Sequence, residues 1–343
     1  MARTIQSALK QMIEENVNMP SERVKKARAS RDWLLERIEN FEKNTQHLYF
    51  CKNFNLHFGS FSRRTKVRPI DDIDIMIGLN GHLLYWKDIY DYKNCSIHLK
   101  SDVQTSGLWK DCLNEDKSLN STKLLNKFKY ALTNISHYES ANIHRSQQAI
   151  TLKLSSYEWN FDLVPCFQTT SGVYLIPNGN GGWMKTNPEK DQELVTSINK
   201  KHNGKFLELV RLVKYWNSKA FDRKANIESS YLLEVMLANY YSSREDLYDI
   251  EFEFEFEFEF EFEFEFEFEQ SLNYLRTSIW NIVNDPKNIE GNLNHLSYEE
   301  KINLTSRINN DLKNIEDAKK VSAEQSFEYW KKVLGNEFPN YGD

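Results

Sequence analysis

The chain has few cysteines and no long apolar run, and each absence excludes a class of protein. Its 343 residues include only four cysteines, with no C-x-x-C pair. This argues against a disulfide framework or a zinc site and favours a reduced, cytoplasmic protein. No stretch approaches the roughly 20 apolar residues of a membrane helix. Residues 1–11 also lack the continuous apolar region of a secretory signal, so we expect neither membrane contact nor secretion.

Acidic residues exceed basic residues only because of one repeat. Residues 251–269 alternate strictly between Glu and Phe, and without these ten glutamates the net charge of −6 becomes +4. The remaining basic charge is mild and scattered, which suits a protein that handles phosphates but does not indicate a duplex-binding surface. Strict alternation is the strand period, although glutamate also favours helix. We interpret the repeat as an expansion in a loop, without a catalytic role.

The most informative segment covers residues 58–79 and ends in alternating Asp and Ile. Asp72 and Asp74 are separated by one residue, so on a strand both side chains lie on the same face. Two neighbouring carboxylates among Ile and Met repel each other unless a cation neutralises them. Oxygen ligands suit Mg²⁺, which usually binds one or two carboxylates together with substrate phosphates. The alternative is a solvated strand face that happens to carry acids.

Gly59 and Ser60, which precede the acidic pair by about a dozen residues, favour the metal interpretation. A Gly-Ser turn lets backbone N–H groups approach a phosphate, and the Ser hydroxyl can donate one more hydrogen bond. A phosphate-binding turn followed by metal-binding carboxylates is typical of a nucleoside-triphosphate site. The site is not a P-loop, because the sequence contains no G-x-x-x-x-G-K-[ST] motif.

The Gly-Ser pair, the spacer and the D-x-D together resemble the signature of the DNA polymerase β-like nucleotidyltransferases. That superfamily has a third carboxylate on a neighbouring strand, and Asp162, within N-F-D-L-V-P-C-F, is the candidate. The resemblance implies that Asp72, Asp74 and Asp162 are catalytic and hold two Mg²⁺ ions, with Mn²⁺ as an alternative. It also implies that Gly59 and Ser60 bind the triphosphate.

Later segments resemble the oligonucleotide-synthesising branch of this superfamily. L-V-R-L-V-K-Y-W-N and S-S-Y-L-L-E-V are similar to segments of cyclic GMP–AMP synthase, the oligoadenylate synthetases and the bacterial CD-NTases. The resemblance implies that Lys214 contacts the donor triphosphate and that Ser230 and Tyr231 lie against the donor base. Residues 174–188 and 330–339 look most like bacterial CD-NTases of anti-phage signalling operons.

The resemblance also implies the architecture. We expect an α+β fold with a polymerase β-like catalytic lobe, containing a mixed sheet, and a C-terminal helical-bundle lobe, bridged by a long N-terminal helix. The catalytic lobe is placed at residues 1–180 and the helical lobe at 181–343, with the repeat as an insertion. Apolar residues recur at helical spacing over about the first 45 residues, which predicts that this region is helical. Alternation at residues 151–154 predicts a strand beside that of Asp162.

The implied function is metal-dependent joining of nucleoside triphosphates into a cyclic di- or trinucleotide messenger for anti-phage signalling, with release of pyrophosphate. Its partners would be nucleoside triphosphates and a downstream effector that senses the product, and we expect a monomer. No Cys/His cluster resembles the DNA-binding insertion of animal cyclic GMP–AMP synthases, so DNA activation is not implied.

Three alternatives stay open. The first is a linear, template-independent polymerase or RNA-tailing enzyme with the same three carboxylates. The second is nucleotide transfer to a small molecule or a protein. The third is a catalytically silent nucleotide sensor, against which the presence of all three acids argues.

Overall fold

The computed structural model describes residues 2–39, 50–81, 83–87, 91–100, 109–135, 138, 141–219, 225–244 and 263–343. In these residues the helices are α1 (Ile5–Met12), α2 (Ser21–Glu39), α3 (Gly59–Ser62), α4 (Ser121–Thr133), α5 (Pro188–Lys201), α6 (Lys205–Ser218), α7 (Ser230–Ser243), α8 (Phe264–Ser278), α9 (Tyr298–Ala318) and α10 (Ala323–Leu334). The strands are β1 (Phe50–His57), β2 (Asp72–Leu79), β3 (Leu84–Lys87), β4 (Ser96–Leu99), β5 (Asn142–Ser146), β6 (Ala149–Lys153), β7 (Asn160–Gln168), β8 (Tyr174–Pro177) and β9 (Trp183–Thr186). This mixture confirms the predicted α+β class.

The chain divides into two compact units. The sheet unit comprises Ser21–Arg63 and Ile70–Gln192, and the helical unit comprises Met1–Pro20, Arg64–Pro69 and Glu193–Asp343. This division differs from the predicted boundary at residue 180, because β9 still pairs with β8 in the sheet. It also assigns two short segments from the first 70 residues of the chain, Met1–Pro20 and Arg64–Pro69, to the helical unit. Such assignments depend on packing, which a linear boundary does not represent.

The sheet of the sheet unit has β2 and β7 at its centre. Its order is β1-β2-β7-β6-β5, with β8 pairing with β7 and β9 with β8. Among the described strand pairs of this sheet, β2 and β7 run parallel and the others antiparallel. Ile73, Ile75 and Ile77, which the alternation places on one face, are at most 1% exposed. The predicted strand beside Asp162 is confirmed, since β6 lies antiparallel to β7.

The helical unit is organised around α8, which packs against α1, α6, α7 and α9. α6 carries an apolar stripe, because Phe206, Leu209, Val210, Val213 and Trp216 recur at helical spacing in the sequence and are each at most 1% exposed. None of the described helices is both long and apolar enough to cross a membrane.

The N-terminal helical segment is interrupted rather than continuous. After α1 the chain forms a π-helical turn, Ile13–Val17, and Asn18 is extended, with φ −73° and ψ 145°. The following Pro20 disfavours helical backbone at the residue before it, so α2 begins only at Ser21. Residues 1–20 therefore belong to the helical unit and α2 to the sheet unit. Residues 40–49, into which the predicted helix extended, lie outside the described residues.

The end of the Glu-Phe repeat forms the first turns of α8 and is not a loop. Phe264 and Phe268 are four residues apart, lie on one face of the helix, and are 2% and 0% exposed. Phe266 points away and is 45% exposed. The loop expectation is therefore wrong for these residues, since burial of two Phe side chains and the helix propensity of Glu outweigh the strand-like alternation. Residues 251–262 of the repeat lie outside the described residues.

Glu267 of the repeat is buried beside these Phe residues and has specific partners. The Tyr241 hydroxyl donates to its carboxylate at 2.7 Å, and Arg244 forms an ion pair with it. A buried carboxylate needs such partners to offset its lost hydration. The repeat thus contributes both apolar and charged side chains to the helical unit.

A second buried charge, Asp311 of α9, lies in the same unit. It is 7% exposed, accepts a hydrogen bond from the Trp216 indole at 2.8 Å, and lies 3.7 Å from the Arg307 guanidinium. Burial raises the pKa of Asp311 to about 6, although the indole N–H and Arg307 oppose the rise. The folded protein therefore keeps a proton on Asp311 in a pH range where the unfolded chain has released it.

Because the pKa of Asp311 is higher in the folded state, stability is expected to fall as pH rises from about 4 to 6. Over this window the change is about 2–3 kcal/mol. Asp311→Asn should reduce the dependence of the free energy of unfolding on pH, as measured by urea unfolding at a series of pH values. Glu324→Gln, at an exposed acid of α10, is the control and should retain the wild-type slope. Identical slopes in the wild type and Asp311→Asn would contradict a neutral Asp311.

Candidate active site

Three carboxylates meet where two parallel strands begin. The register of β2 and β7 sets Asp74 opposite Asp162 and Asp72 opposite Asn160. Asp72 and Asp74 share a face because they are two residues apart on a strand. Oxygen atoms of all three carboxylates lie within 4.8 Å of one another. The structure therefore brings together the three acids that the sequence singled out, through pairing of strands distant in sequence.

The chemistry of this cluster fits a divalent metal. Three negative charges this close, each only partly exposed, repel one another strongly unless a cation is present. Hard carboxylate oxygens are ligands that Mg²⁺ and Mn²⁺ accept, and partial exposure lets substrate phosphates and water complete the coordination. Among the residues that the structure describes, no other cluster of three His, Cys, Asp or Glu side chains has this spacing.

Gly59 lies directly against this cluster. It adopts a left-handed backbone, with φ +73°, at the start of α3. A Cβ atom at this position would lie 1.8 Å from Oδ2 of Asp74, which leaves no room for any side chain. Ser60 follows in the same short helix and is half-buried. The structure thus brings the Gly-Ser motif into contact with the D-x-D motif.

The end of α3 is held by its last residue. The Ser62 hydroxyl donates to the His57 carbonyl at 3.0 Å and lies 3.4 Å from the Gln192 side-chain oxygen. The Arg63 N–H also bonds to the Gly59 carbonyl at 3.2 Å. These bonds fix the Gly-Ser turn relative to the end of β1.

Thr151 is a residue of this site to which the sequence analysis gave no role. It lies opposite Asp162 in the β6–β7 register, is 8% exposed, and donates from its hydroxyl to Oδ1 of Asp162 at 2.7 Å. This bond orients the third carboxylate. The alternation around Thr151 gave the strand, but its partner depends on a register that local sequence does not specify.

Thr151→Val is expected to lower activity or metal affinity by about 10- to 100-fold, the usual effect of losing a residue that orients a metal ligand. Valine keeps the shape and strand propensity, so the fold should be retained. The measurement is product formation as a function of Mg²⁺ concentration. Thr151→Ser should restore most activity because it keeps the hydroxyl. Thr186→Val, on β9, is the control, and an equal loss there would contradict a specific role for Thr151.

The predicted triphosphate lysine lies in the helical unit. Lys214 of α6 forms an ion pair with Glu234 of α7 at 2.7 Å, and the two side chains are only 9% and 3% exposed. The sequence analysis did not identify Glu234 as the partner of Lys214, because the ion pair joins two different helices. A role for Lys214 at the triphosphate stays a prediction.

Ser230 and Tyr231 open α7, after the N-cap Ser229. Ser230 is exposed, whereas Tyr231 is half-buried and packs against the core of the helical unit. The Tyr231 hydroxyl accepts a hydrogen bond from Lys287 at 2.6 Å. The base-binding role predicted for the two residues also stays a prediction.

Comparison with known proteins identifies a relative over the full chain and further matches over parts of it. A family profile described as the Second Messenger Oligonucleotide or Dinucleotide Synthetase domain matches residues 99–199. A probable cyclic nucleotide synthase of Bacillus cereus (strain VD146) is 37% identical over 355 aligned positions, covering 100% of both chains. A cyclic AMP-AMP-AMP synthase of Acinetobacter sp. (strain ATCC 27244 / 9458) is 28% identical over 54% of this chain and 46% of its own length.

Solved structures share the fold. The structure of CdnC from E. coli MS115-1 with ATP superposes with a TM-score of 0.68 at 16% identity, covering 98% of this chain and 99% of CdnC. CdnC in its complex with HORMA-deltaN gives a TM-score of 0.69 at 15% identity, covering 98% of each chain. The full-length relative at 37% identity shows the family, and the fold agrees with it. The chain therefore belongs to the bacterial cyclic nucleotide synthases, the CD-NTases, and is a nucleotidyltransferase.

Proposed function

We propose that this enzyme joins nucleoside triphosphates into a cyclic di- or trinucleotide messenger at the site formed by Asp72, Asp74 and Asp162. The observation that carries the proposal is the convergence of these carboxylates within 4.8 Å beside Gly59. The relative named as a cyclic AMP-AMP-AMP synthase supports a cyclic product and makes a trinucleotide of adenosine the first product to test.

In the proposed reaction a ribose hydroxyl of the acceptor attacks the α-phosphorus of the donor triphosphate. A phosphorus–oxygen bond forms, the bond to pyrophosphate breaks, and the hydroxyl proton passes to the Asp162 carboxylate. Thr151 holds that carboxylate in orientation through its 2.7 Å hydrogen bond. For a dinucleotide, a second transfer by the same residues closes the ring and releases a second pyrophosphate. A trinucleotide needs three transfers, of which the last closes the ring, and each releases one pyrophosphate.

The chain's own contribution is positioning and charge. Asp72, Asp74 and Asp162 would hold Mg²⁺, or Mn²⁺, which when bound orients the triphosphate, stabilises the leaving pyrophosphate and acidifies the attacking hydroxyl. Backbone N–H groups at Gly59 and Ser60 bind the terminal phosphates, since no side chain at Gly59 obstructs their approach.

The helical unit supplies the remaining contacts in this proposal. Lys214, oriented by Glu234, adds a positive charge for the triphosphate. Ser230 and the Tyr231 ring contact the donor base, because aromatic rings stack on nucleobases. The enzyme acts in the cytoplasm as a monomer, and its product activates a separate effector in anti-phage signalling.

The test uses purified protein with Mg²⁺ and radiolabelled ATP, GTP, CTP and UTP, singly and together. Products are treated with phosphatase and separated by chromatography, beside the Asp72→Ala/Asp74→Ala double variant. A phosphatase-resistant product that the double variant does not make supports the cyclase, and its label pattern identifies the bases. Phosphatase-sensitive ladders would support the linear polymerase instead. Nucleotide binding without turnover in any mixture would leave two options, the silent sensor and an enzyme that requires an activator.

A further inference from the structure

Tyr231 is fixed at both ends of its side chain. Its backbone is held at the start of α7, where Ser229 accepts a hydrogen bond from the Leu232 N–H at 3.2 Å. At the other end, the Lys287 amine donates to the Tyr231 hydroxyl at 2.6 Å. The same amine lies over the ring, 4.0 Å from its centroid. Lys287 therefore contacts both the hydroxyl and one side of the aromatic ring.

A tight turn after α8 holds Lys287 in this place. The Asp285 carboxylate accepts hydrogen bonds from the backbone N–H groups of Lys287, Ile289 and Glu290 at 3.1, 3.2 and 3.0 Å. Its Oδ1 also lies 3.1 Å from the Lys287 amine. The Lys287 side chain is 11% exposed and the Asp285 side chain is fully buried. Burial would raise the pKa of Asp285, but the Glu290 N–H and the Lys287 charge bring it below its ordinary value. Asp285 is thus an ionised anchor for the lysine.

We propose that Lys287 is a positioning residue for nucleotide binding, which fixes the Tyr231 ring so that a nucleobase stacks on the side facing away from the amine. The inference rests on the function proposed above, in which Tyr231 contacts the donor base. A ring that is already immobile loses less conformational entropy when the nucleotide binds. Every base has a π-face, so a rigid ring raises affinity for all four nucleotides alike.

A purely structural ion pair would behave differently. If Lys287 only stabilised the turn around Asp285, its replacement would lower the melting temperature and leave nucleotide binding unchanged. If Lys287 instead contacted a base directly, its replacement would affect some nucleotides far more than others, because base edges differ in their donors and acceptors. The size and the base dependence of the effect therefore separate the three roles.

The experiment compares full-length wild type with Lys287→Met, Lys287→Arg, Tyr231→Phe and the Lys287→Met/Tyr231→Phe double variant. Lys313→Met, at an exposed lysine of α9, is the matched control. Steady-state KM and kcat are measured with Mg²⁺ for each nucleotide that the wild type uses, with binding of ATP and GTP by calorimetry and melting temperature alongside. The Arg variant keeps a cation beside Asp285, so the test does not depend on the Met variant folding.

Lys287→Met is expected to raise KM and weaken binding by about 3- to 10-fold for every nucleotide, the effect of having to order one side chain on binding. The kcat should stay within about twofold, as expected when only binding is lost. Lys287→Arg should restore most of the affinity. Tyr231→Phe should weaken binding by no more than Lys287→Met, because the amine still lies over the ring, and the double variant should be no worse than Lys287→Met.

Three results would overturn the inference. One is a KM for Lys287→Met equal to that of Lys313→Met, and another is a loss confined to one base. The third is a further loss when Tyr231→Phe is added to Lys287→Met, since the hydroxyl would then contribute to binding without the lysine. A wild type that forms no product and binds no nucleotide would overturn the proposed function itself. An active wild type with an unaffected Lys287→Met variant would overturn only the role of Lys287.

Discussion

Asp74→Asn is expected to reduce product formation by at least about 10³-fold without destabilising the fold, because it removes a ligand of the proposed metal and keeps the size of the side chain. The three carboxylates lie within 4.8 Å of one another, so loss of one charge relieves repulsion in the protein without metal. Its melting temperature without Mg²⁺ should equal or exceed that of the wild type. Product formation and thermal unfolding, each with and without Mg²⁺, measure both effects.

Asp71→Asn provides the matched control. Asp71 is exposed and immediately precedes β2, so the same chemical change is made one residue from the cluster. This variant should keep wild-type activity. Mg²⁺ should also raise the melting temperatures of the wild type and of Asp71→Asn, because a ligand that binds the folded state stabilises that state. The increase for Asp74→Asn should be much smaller. Full activity in Asp74→Asn would contradict the assignment of the site.

Gly59→Ala is the second change with a large expected effect. The new Cβ would lie 1.8 Å from Asp74 Oδ2 and 2.6 Å from its Cγ, so the carboxylate or the turn must move by about 1 Å or more. A displacement of that size at a reacting centre can reduce activity by about 10²-fold. Because the backbone is left-handed here, with φ +73°, the alanine Cβ also strains the folded state and lowers the free energy of unfolding by about 1–2 kcal/mol.

Gly172→Ala separates the two causes. Gly172 has a similar φ of +80°, but a Cβ there meets nothing within 4 Å. It should therefore show the backbone penalty alone, with a lower melting temperature and normal activity. Gly59→Ala should lose both stability and activity in the same assays. If the two variants were equally active, close approach of Gly59 to Asp74 would not matter for catalysis.

Local sequence was enough to single out the acidic strand of the candidate site. The i, i+2 spacing of Asp72 and Asp74 fixes their shared face on any strand, whatever the fold around it. Asp162 could be selected only with the family resemblance, since one acid in an apolar run has several explanations. Its pairing with Asp74 is a contact between strands far apart in sequence, which the parallel register of β2 and β7 provides.

Other features depend on long-range packing and could not be derived from the sequence. Glu234 lies beside Lys214, and Lys287 beside Tyr231, only because α7 packs in the same unit as α6 and the turn after α8. Thr151 reaches Asp162 through strand register. Side-chain chemistry suggests what such residues can do, but their partners are set by tertiary contacts.

The sequence by itself determined the acidic strand, the Gly-Ser turn and the apolar stripe of α6, because backbone geometry and side-chain periodicity are local properties. The fold class followed from the family resemblance of the sequence motifs. The tertiary structure decided the membership of residues 64–69 in the helical unit and the helical end of the repeat. In the repeat, alternating Glu and Phe suit strand and helix almost equally. Burial of Phe264 and Phe268 within the helical unit selects the helix, since the free energy gained from the surrounding core exceeds the difference in local preference.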